Sequence, residues 1–182
     1  LRDDKGVLLI FDEVQCGIGR TGKWFAFQHY DVQPDIITLA KALGGGIPIG
    51  SIVAKKEVSD VLKPGDHGTT FGGNPLATTV ALTVLDTIES ENLIENAYNM
   101  GKYLLKELAF MKEYPKVKDI RGIGLMVGIE FEDLCSDFVK NCFDNNLLIN
   151  CTRDKIIRLV PPLILTKKEI DEAISIMKKS KI

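Results

Sequence analysis

Apolar positions fall along the chain in a sequence of patterns that predicts its elements. Val7-Leu8-Leu9-Ile10-Phe11 is a short, branched-rich and continuous run, the pattern of a strand covered on both faces. Glycines at 17, 19 and 22 predict a loop, and Pro34-Asp35 introduces a second apolar strand over 36–39. Ile49 to Ala54 predicts a third strand after the glycine loop 44–46. Helix then takes over. Asn74-Pro75 starts one helix, with Leu76, Val80, Leu82, Val84, Leu85 and Ile88 apolar through it and Ala77, Thr78, Thr79 and Ala81 small enough for close packing. Leu93 to Met111 carries a second amphipathic pattern that Tyr114-Pro115 ends. Beyond it, strands are predicted over 125–131, 147–150 and 156–160, and helices over 135–144 and 167–179. The layer pattern is thus α/β first and α+β afterwards, with a domain boundary near residue 93: 1–92 on one side and 93–182 on the other.

Two polar residues stand where these strands end. Asp12 closes the first apolar run, and Lys41 follows Ile36-Ile37-Thr38-Leu39-Ala40. In open α/β sheets ligands bind beyond the carboxyl ends of the strands, so a carboxylate and an amine brought there together can act on one molecule. Pyridoxal phosphate uses such a pair: a carboxylate keeps its ring nitrogen protonated, and a lysine amine condenses with its aldehyde. Taken singly, Asp12 reads as the cap of a strand and Lys41 as a solvated surface lysine. Their company argues otherwise.

Composition narrows the field further. With 182 residues, 45% of them hydrophobic, the chain can build one sizeable core or two small ones. Lys and Arg number 23 against 25 Asp and Glu, spread without a basic stripe, so nucleic acid is not an expected partner. No apolar stretch approaches the roughly 20 residues that span a bilayer, and the first residues lack the apolar core of a signal peptide, so the expected location is cytoplasmic. Cys16, Cys135, Cys142 and Cys151 show no Cys-x-x-Cys spacing, and the only histidines are His29 and His67. Four reduced thiols are expected, with neither a zinc site nor a disulfide framework.

Four segments carry a resemblance. Phe11-Asp12-Glu13-Val14-Gln15-Cys16-Gly17-Ile18-Gly19-Arg20-Thr21-Gly22 and Leu39-Ala40-Lys41-Ala42-Leu43-Gly44-Gly45-Gly46-Ile47-Pro48-Ile49-Gly50 resemble the class III aminotransferases. His67-Gly68-Thr69-Thr70-Phe71-Gly72-Gly73-Asn74-Pro75-Leu76-Ala77 and Arg158-Leu159-Val160-Pro161-Pro162-Leu163 resemble the same family in the same order. The resemblance implies part of the large α/β domain of the type I pyridoxal-phosphate transferases (1–92), followed by a small C-terminal α+β domain (93–182). Pyridoxal 5'-phosphate is the implied cofactor. Lys41 would be its covalent anchor and proton carrier, Asp12 the partner of its ring nitrogen, Val14 a packing surface for the ring, and Gln15 a donor to its phenolic oxygen. Thr70 would reach the cofactor phosphate of the neighbouring subunit in a homodimer, and Arg158 would grip a substrate carboxylate with a two-bond fork. Arg121 is read as structural and Glu13 is given no role.

The implied reaction moves the terminal amino group of N-acetylornithine, or a similar ω-amino donor, to 2-oxoglutarate, as arginine biosynthesis requires. Ornithine, succinylornithine, 4-aminobutyrate and a lysine-pathway intermediate are alternative donors. Family members carry another half upstream, holding most contacts to the cofactor phosphate and part of the substrate site, so the chain is expected to be truncated and inactive alone. Two rival readings stay distant. Val7 to Glu13 also looks like the Walker B strand of a P-loop ATPase, and the chain could be a fragment without catalysis. Gly17 to Gly22 satisfies G-x-G-x-x-G but lacks the flanking strand and helix of a dinucleotide site, and reads as a turn at an active-site mouth.

Overall fold

The computed structural model describes residues 2–180, which divide into two compact units: the residues up to 19 with 23–92, and 20–22 with those from 93 onward. In the first unit a single helical turn, α1 (Arg2–Lys5), precedes three short strands, β1 (Ile10–Asp12), β2 (Ile36–Leu39) and β3 (Ser51–Ala54), in the order β1-β2-β3. β1 and β2 run parallel, with Ile10, Phe11 and Asp12 opposite Ile36, Ile37 and Thr38, whereas β3 is antiparallel to β2. The short α2 (Lys56–Ser59) and the long α3 (Pro75–Ser90) complete the unit.

Asp35, which the sequence suggests only as punctuation, fastens all three strands. It is buried. One carboxylate oxygen accepts the Leu9 N–H at 2.8 Å and the other the Lys55 ammonium at 2.9 Å. Charge-assisted bonds of this kind compensate for taking the carboxylate out of water. Asn74 caps α3, its side chain accepting the Ala77 N–H at 2.9 Å with Pro75 at the first helical position. α3 packs against the turn Lys41–Gly44 and the glycine that follows it. Gly45 has φ +55°, and a Cβ there would lie 2.9 Å from Val84, so both its backbone and its neighbour require glycine.

One expectation fails here. Val7 to Phe11 is not a fully buried strand: pairing begins only at Ile10, and Val7, Leu8 and Ile10 are each more than half exposed. Among the described residues β1 pairs with β2 alone, so its outer edge is unpaired. Leu76 and Leu82 on α3 are exposed in the same way.

The second unit is a four-stranded antiparallel sheet in the order β4-β5-β7-β6, formed by β4 (Val117–Ile123), β5 (Met126–Phe131), β6 (Asn150–Thr152) and β7 (Ile156–Leu159). Three helices, α4 (Leu93–Glu107), α5 (Ser136–Asp144) and α6 (Lys167–Lys179), share one core with it. Strict alternation in β5 buries Val127, Ile129 and Phe131, which meet Leu108, Phe138 and Met177. Thr166 and Glu169 form a capping box at the start of α6. Gly101 of α4 and Gly124 approach so closely that a Cβ on Gly101 would overlap the Gly124 backbone.

β4 is absent from the expected elements, and the strand expected at 147–150 forms instead at Asn150–Thr152. The thiol expectation also needs correction. Cys135 and Cys151, 16 residues apart, form a disulfide that ties the start of α5 to β6, while Cys16 and Cys142 are free. Nothing in their spacing announces it, because the β6–β7 hairpin brings them together. Closing a loop of this length stabilises by about 3 kcal/mol. Dithiothreitol or Cys135→Ser is therefore expected to lower the urea midpoint of unfolding by a corresponding amount, and equal midpoints with and without reductant would rule the bond out. Among the described residues no helix is long and apolar enough to cross a membrane.

Candidate active site

Asp12 and Lys41 lie at the carboxyl ends of adjacent parallel strands, Asp12 as the last residue of β1 and Lys41 two residues beyond β2. Parallel pairing makes both ends face the same way. The Asp12 carboxylate is exposed but not loose: Oδ1 accepts the Val14 N–H at 3.0 Å and the Thr38 hydroxyl at 3.2 Å. Thr38, directly opposite Asp12 in the register, has no place among the sequence-derived candidates. A lone hydroxyl in the apolar run Ile36-Ile37-Thr38-Leu39 is the signal that could have found it.

Lys41 is exposed and has φ +47°, a left-handed conformation that a residue with a Cβ adopts only when its surroundings impose it. The imposing elements are the extended Ala40 before it and the tight turn Lys41–Gly44 packed on α3. Lys41 borders a cavity of about 620 Å³ together with residues 46–50 and 71–74. The second and third sequence segments therefore meet. Nothing lies within 4 Å of the Cβ positions of Gly46 and Gly73, so this wall leaves room beside the main chain. Thr70, next to it, is exposed, and Val14 and Gln15 are half-buried just past Asp12.

Glu13 turns inward. Its buried carboxylate accepts the N–H groups of Ala26 and Phe27, both at 2.9 Å, and the Cys16 thiol at 3.2 Å. The glutamate is thereby spent on holding the loop after Asp12, which removes the water-activating acid that a Walker B reading requires. Burial, and then the hydrogen bond to Glu13, push the Cys16 thiol up to about 12, so it stays protonated and unreactive at neutral pH.

In the second unit Arg158 sits in β7 opposite Gly128 of β5 and Asn150 of β6. Its alternate neighbour Ile157 points into the core. A cavity of about 650 Å³ in this unit is bordered by Arg158, Leu148, Asn150, Pro161 and Ile170. Arg121 bridges Asp119 at 2.8 Å and Glu130 at 2.7 Å on the sheet surface, a solvated network worth little to stability. Arg20, unassigned from sequence, donates to the carbonyls of Leu125 and Pro161.

The chain is 52% identical over 176 residues to an acetylornithine aminotransferase of Methanocaldococcus jannaschii and 51% identical over 177 residues to one of Archaeoglobus fulgidus. These alignments cover 96% and 97% of this chain but only 44% and 46% of the relatives, so the chain spans less than half of their length. Among solved structures it matches an ornithine aminotransferase from Plasmodium yoelii with TM-score 0.93 and 41% identity, covering 98% of this chain and 49% of that one. An acetylornithine aminotransferase from Elizabethkingia anophelis gives 0.92 and 40%, covering 98% and 46%. The mixed α/β architecture is that of these aminotransferases. Residues 1–180 match the family described as Aminotransferase class-III, and the chain belongs to that family.

Proposed function

We propose that the protein to which this chain belongs is a pyridoxal-phosphate-dependent aminotransferase that takes the terminal amino group of N-acetylornithine and gives it to 2-oxoglutarate. The observation that carries this reading is the placement of a fixed carboxylate, Asp12, and an exposed lysine, Lys41, at the carboxyl ends of two adjacent parallel strands. The donor set fits the cofactor: an acid for a ring nitrogen, an amine for an aldehyde, and a glycine-walled cavity with room for a flat ring. When bound, pyridoxal phosphate supplies an electron sink for the bonds at the substrate carbon that carries the amine.

The rest is work for side chains. Asp12, its Oδ1 anchored by Thr38 and Val14, would hold a proton at the ring nitrogen. Lys41 would anchor the cofactor and then move a proton to and from the substrate carbon. Val14 would pack on the ring face and Gln15 would donate to the phenolic oxygen. Arg158 would fork onto the carboxylate that donor and acceptor share. The choice of N-acetylornithine follows the names of the relatives at 51–52% identity. Ornithine is the second reading, favoured by the likeness to the Plasmodium structure.

Glutamate formation by the full-length, cofactor-loaded protein decides between donors. N-Acetylornithine should give the highest kcat/KM with 2-oxoglutarate, ahead of ornithine, succinylornithine and 4-aminobutyrate. A higher value for ornithine would shift the assignment.

The homodimer of this reading predicts complementation. Lys41→Ala in one full-length chain and Thr70→Glu in another, the glutamate setting a negative charge against the phosphate, should each give inactive homodimers. In a mixed dimer the Thr70→Glu chain keeps its own Lys41 and receives an intact Thr70 from its partner. Activity should return on mixing. If subunits demonstrably exchange and activity does not return, Thr70 does not reach a neighbouring site.

A further inference from the structure

Pro161 and Pro162 follow β7 after a single residue, Val160, and have no N–H to donate. Sheet pairing ends at Leu159, opposite Val127, one residue beyond Arg158. The segment beyond Leu159, which leaves the sheet just after Arg158, is therefore held largely by what its carbonyls accept. Two side chains supply the donors. Arg20 donates from Nη1 to the Pro161 carbonyl and, at 3.3 Å, to the Leu125 carbonyl, while Asn96 of α4 donates to Leu163 at 2.7 Å and to Leu165 at 3.0 Å.

Arg20 stands on a fixed mount. Residues 20–22 pack as part of the second unit although the chain on either side of them belongs to the first. The Arg20 carbonyl accepts the Leu125 N–H at 3.0 Å, and Thr21 is buried. A Cβ on Gly124 would overlap the Thr21 backbone, so the glycine at 124, with φ +55°, is what lets this segment seat. Burial pulls the Arg20 pKa below the usual arginine value, the mark of a cation moved from water onto carbonyl dipoles.

We infer that Arg20 is a positioning residue for the carboxylate fork of Arg158: it fixes the exit of β7 three residues beyond that arginine, which the sheet alone does not. This rests on the reading of Arg158 as the carboxylate site. A two-bond fork depends on angle and distance together, so freeing the strand exit degrades carboxylate binding before it touches chemistry at the amine. The arginine of the loop Gly17 to Gly22 thereby acquires a task that its own neighbours in sequence do not reveal.

The test compares Arg20→Gln, Arg20→Lys, Arg158→Lys and the Arg20→Gln/Arg158→Lys double variant in the full-length, cofactor-loaded protein. Two readouts are needed: the Kd of glutarate, an unreactive dicarboxylate, by calorimetry, and the rates with 2-oxoglutarate and with a primary amine lacking any carboxylate. Arg20→Gln should weaken glutarate and raise the KM for 2-oxoglutarate about tenfold, with the half-reaction of the simple amine changed by less than about twofold. Arg20→Lys, still able to reach one carbonyl, should recover part of that loss. It also keeps the test open if Arg20→Gln does not fold. The double variant should bind glutarate no worse than Arg158→Lys, because the fork is already gone.

Wild-type glutarate affinity in both Arg20 variants overturns the inference. So do equal losses with carboxylate and simple-amine substrates, which would mark plain structural support, and additive losses in the double variant. If Arg158→Lys itself leaves glutarate affinity unchanged, the carboxylate assignment fails first and the inference with it. That result is distinct from one in which Arg158→Lys weakens binding and the Arg20 variants do not.

Discussion

Lys41→Ala in the full-length protein is expected to abolish turnover, by about 10⁴-fold or more, while leaving the fold in place. The amine serves twice in the proposed reaction, as the anchor of the cofactor and as the carrier of a proton, so no neighbouring group takes over both tasks. Structure gives the second half of the expectation. The side chain is exposed at the mouth of its cavity, and alanine meets the same backbone conformation that lysine does, so little packing is lost. Glutamate formation measures the first effect and the thermal midpoint the second. Borohydride treatment followed by peptide mass analysis adds a third readout, since the cofactor should be fixed to Lys41 in the wild type and nowhere in the variant. Sustained turnover in Lys41→Ala would end the assignment.

Asp12→Asn is expected to reduce kcat by about 10³-fold with the cofactor still bound. The substitution is unusually clean here because asparagine keeps an oxygen that can accept from Val14 N–H and the Thr38 hydroxyl. What it loses is the negative charge. An amide cannot hold a proton at a ring nitrogen, so the rate falls while the loop after β1 stays where it was. A near-normal rate would move this electrostatic task to another group.

The ends of β1 and β2 are readable because an apolar run closed by a charged residue is a local pattern, visible without knowing what packs around it. Burial was not local. Val7 and Leu8 look like core residues in a string of letters, yet exposure depends on which strands flank them, and among the described residues β1 pairs with β2 alone. β4 escaped for a related reason. As an edge strand, Val117–Ile123 places exposed polar residues such as Lys118 and Arg121 among its apolar ones and blurs the period of two. The Cys135–Cys151 bond, the hydroxyl of Thr38 on Asp12 and the reach of Arg20 to carbonyls 105 and 141 residues away all depend on register or tertiary contact. The roles proposed for Thr70 and Arg158 rest on the resemblance; by their own surroundings in the chain they read as a loop hydroxyl and a strand cation.

The left-handed backbone at Lys41 sets stability against activity. Such a conformation costs a residue with a Cβ about 1–2 kcal/mol, and the greater freedom of unfolded glycine offsets about 0.5–1 kcal/mol of the relief that glycine would bring. Lys41→Gly should therefore be more stable than the wild type by up to about 1.5 kcal/mol and catalytically dead. A laboratory selection for heat resistance alone would drift toward that inactive sequence, so any thermostabilising library for this protein has to hold position 41 constant or screen every round for amino transfer.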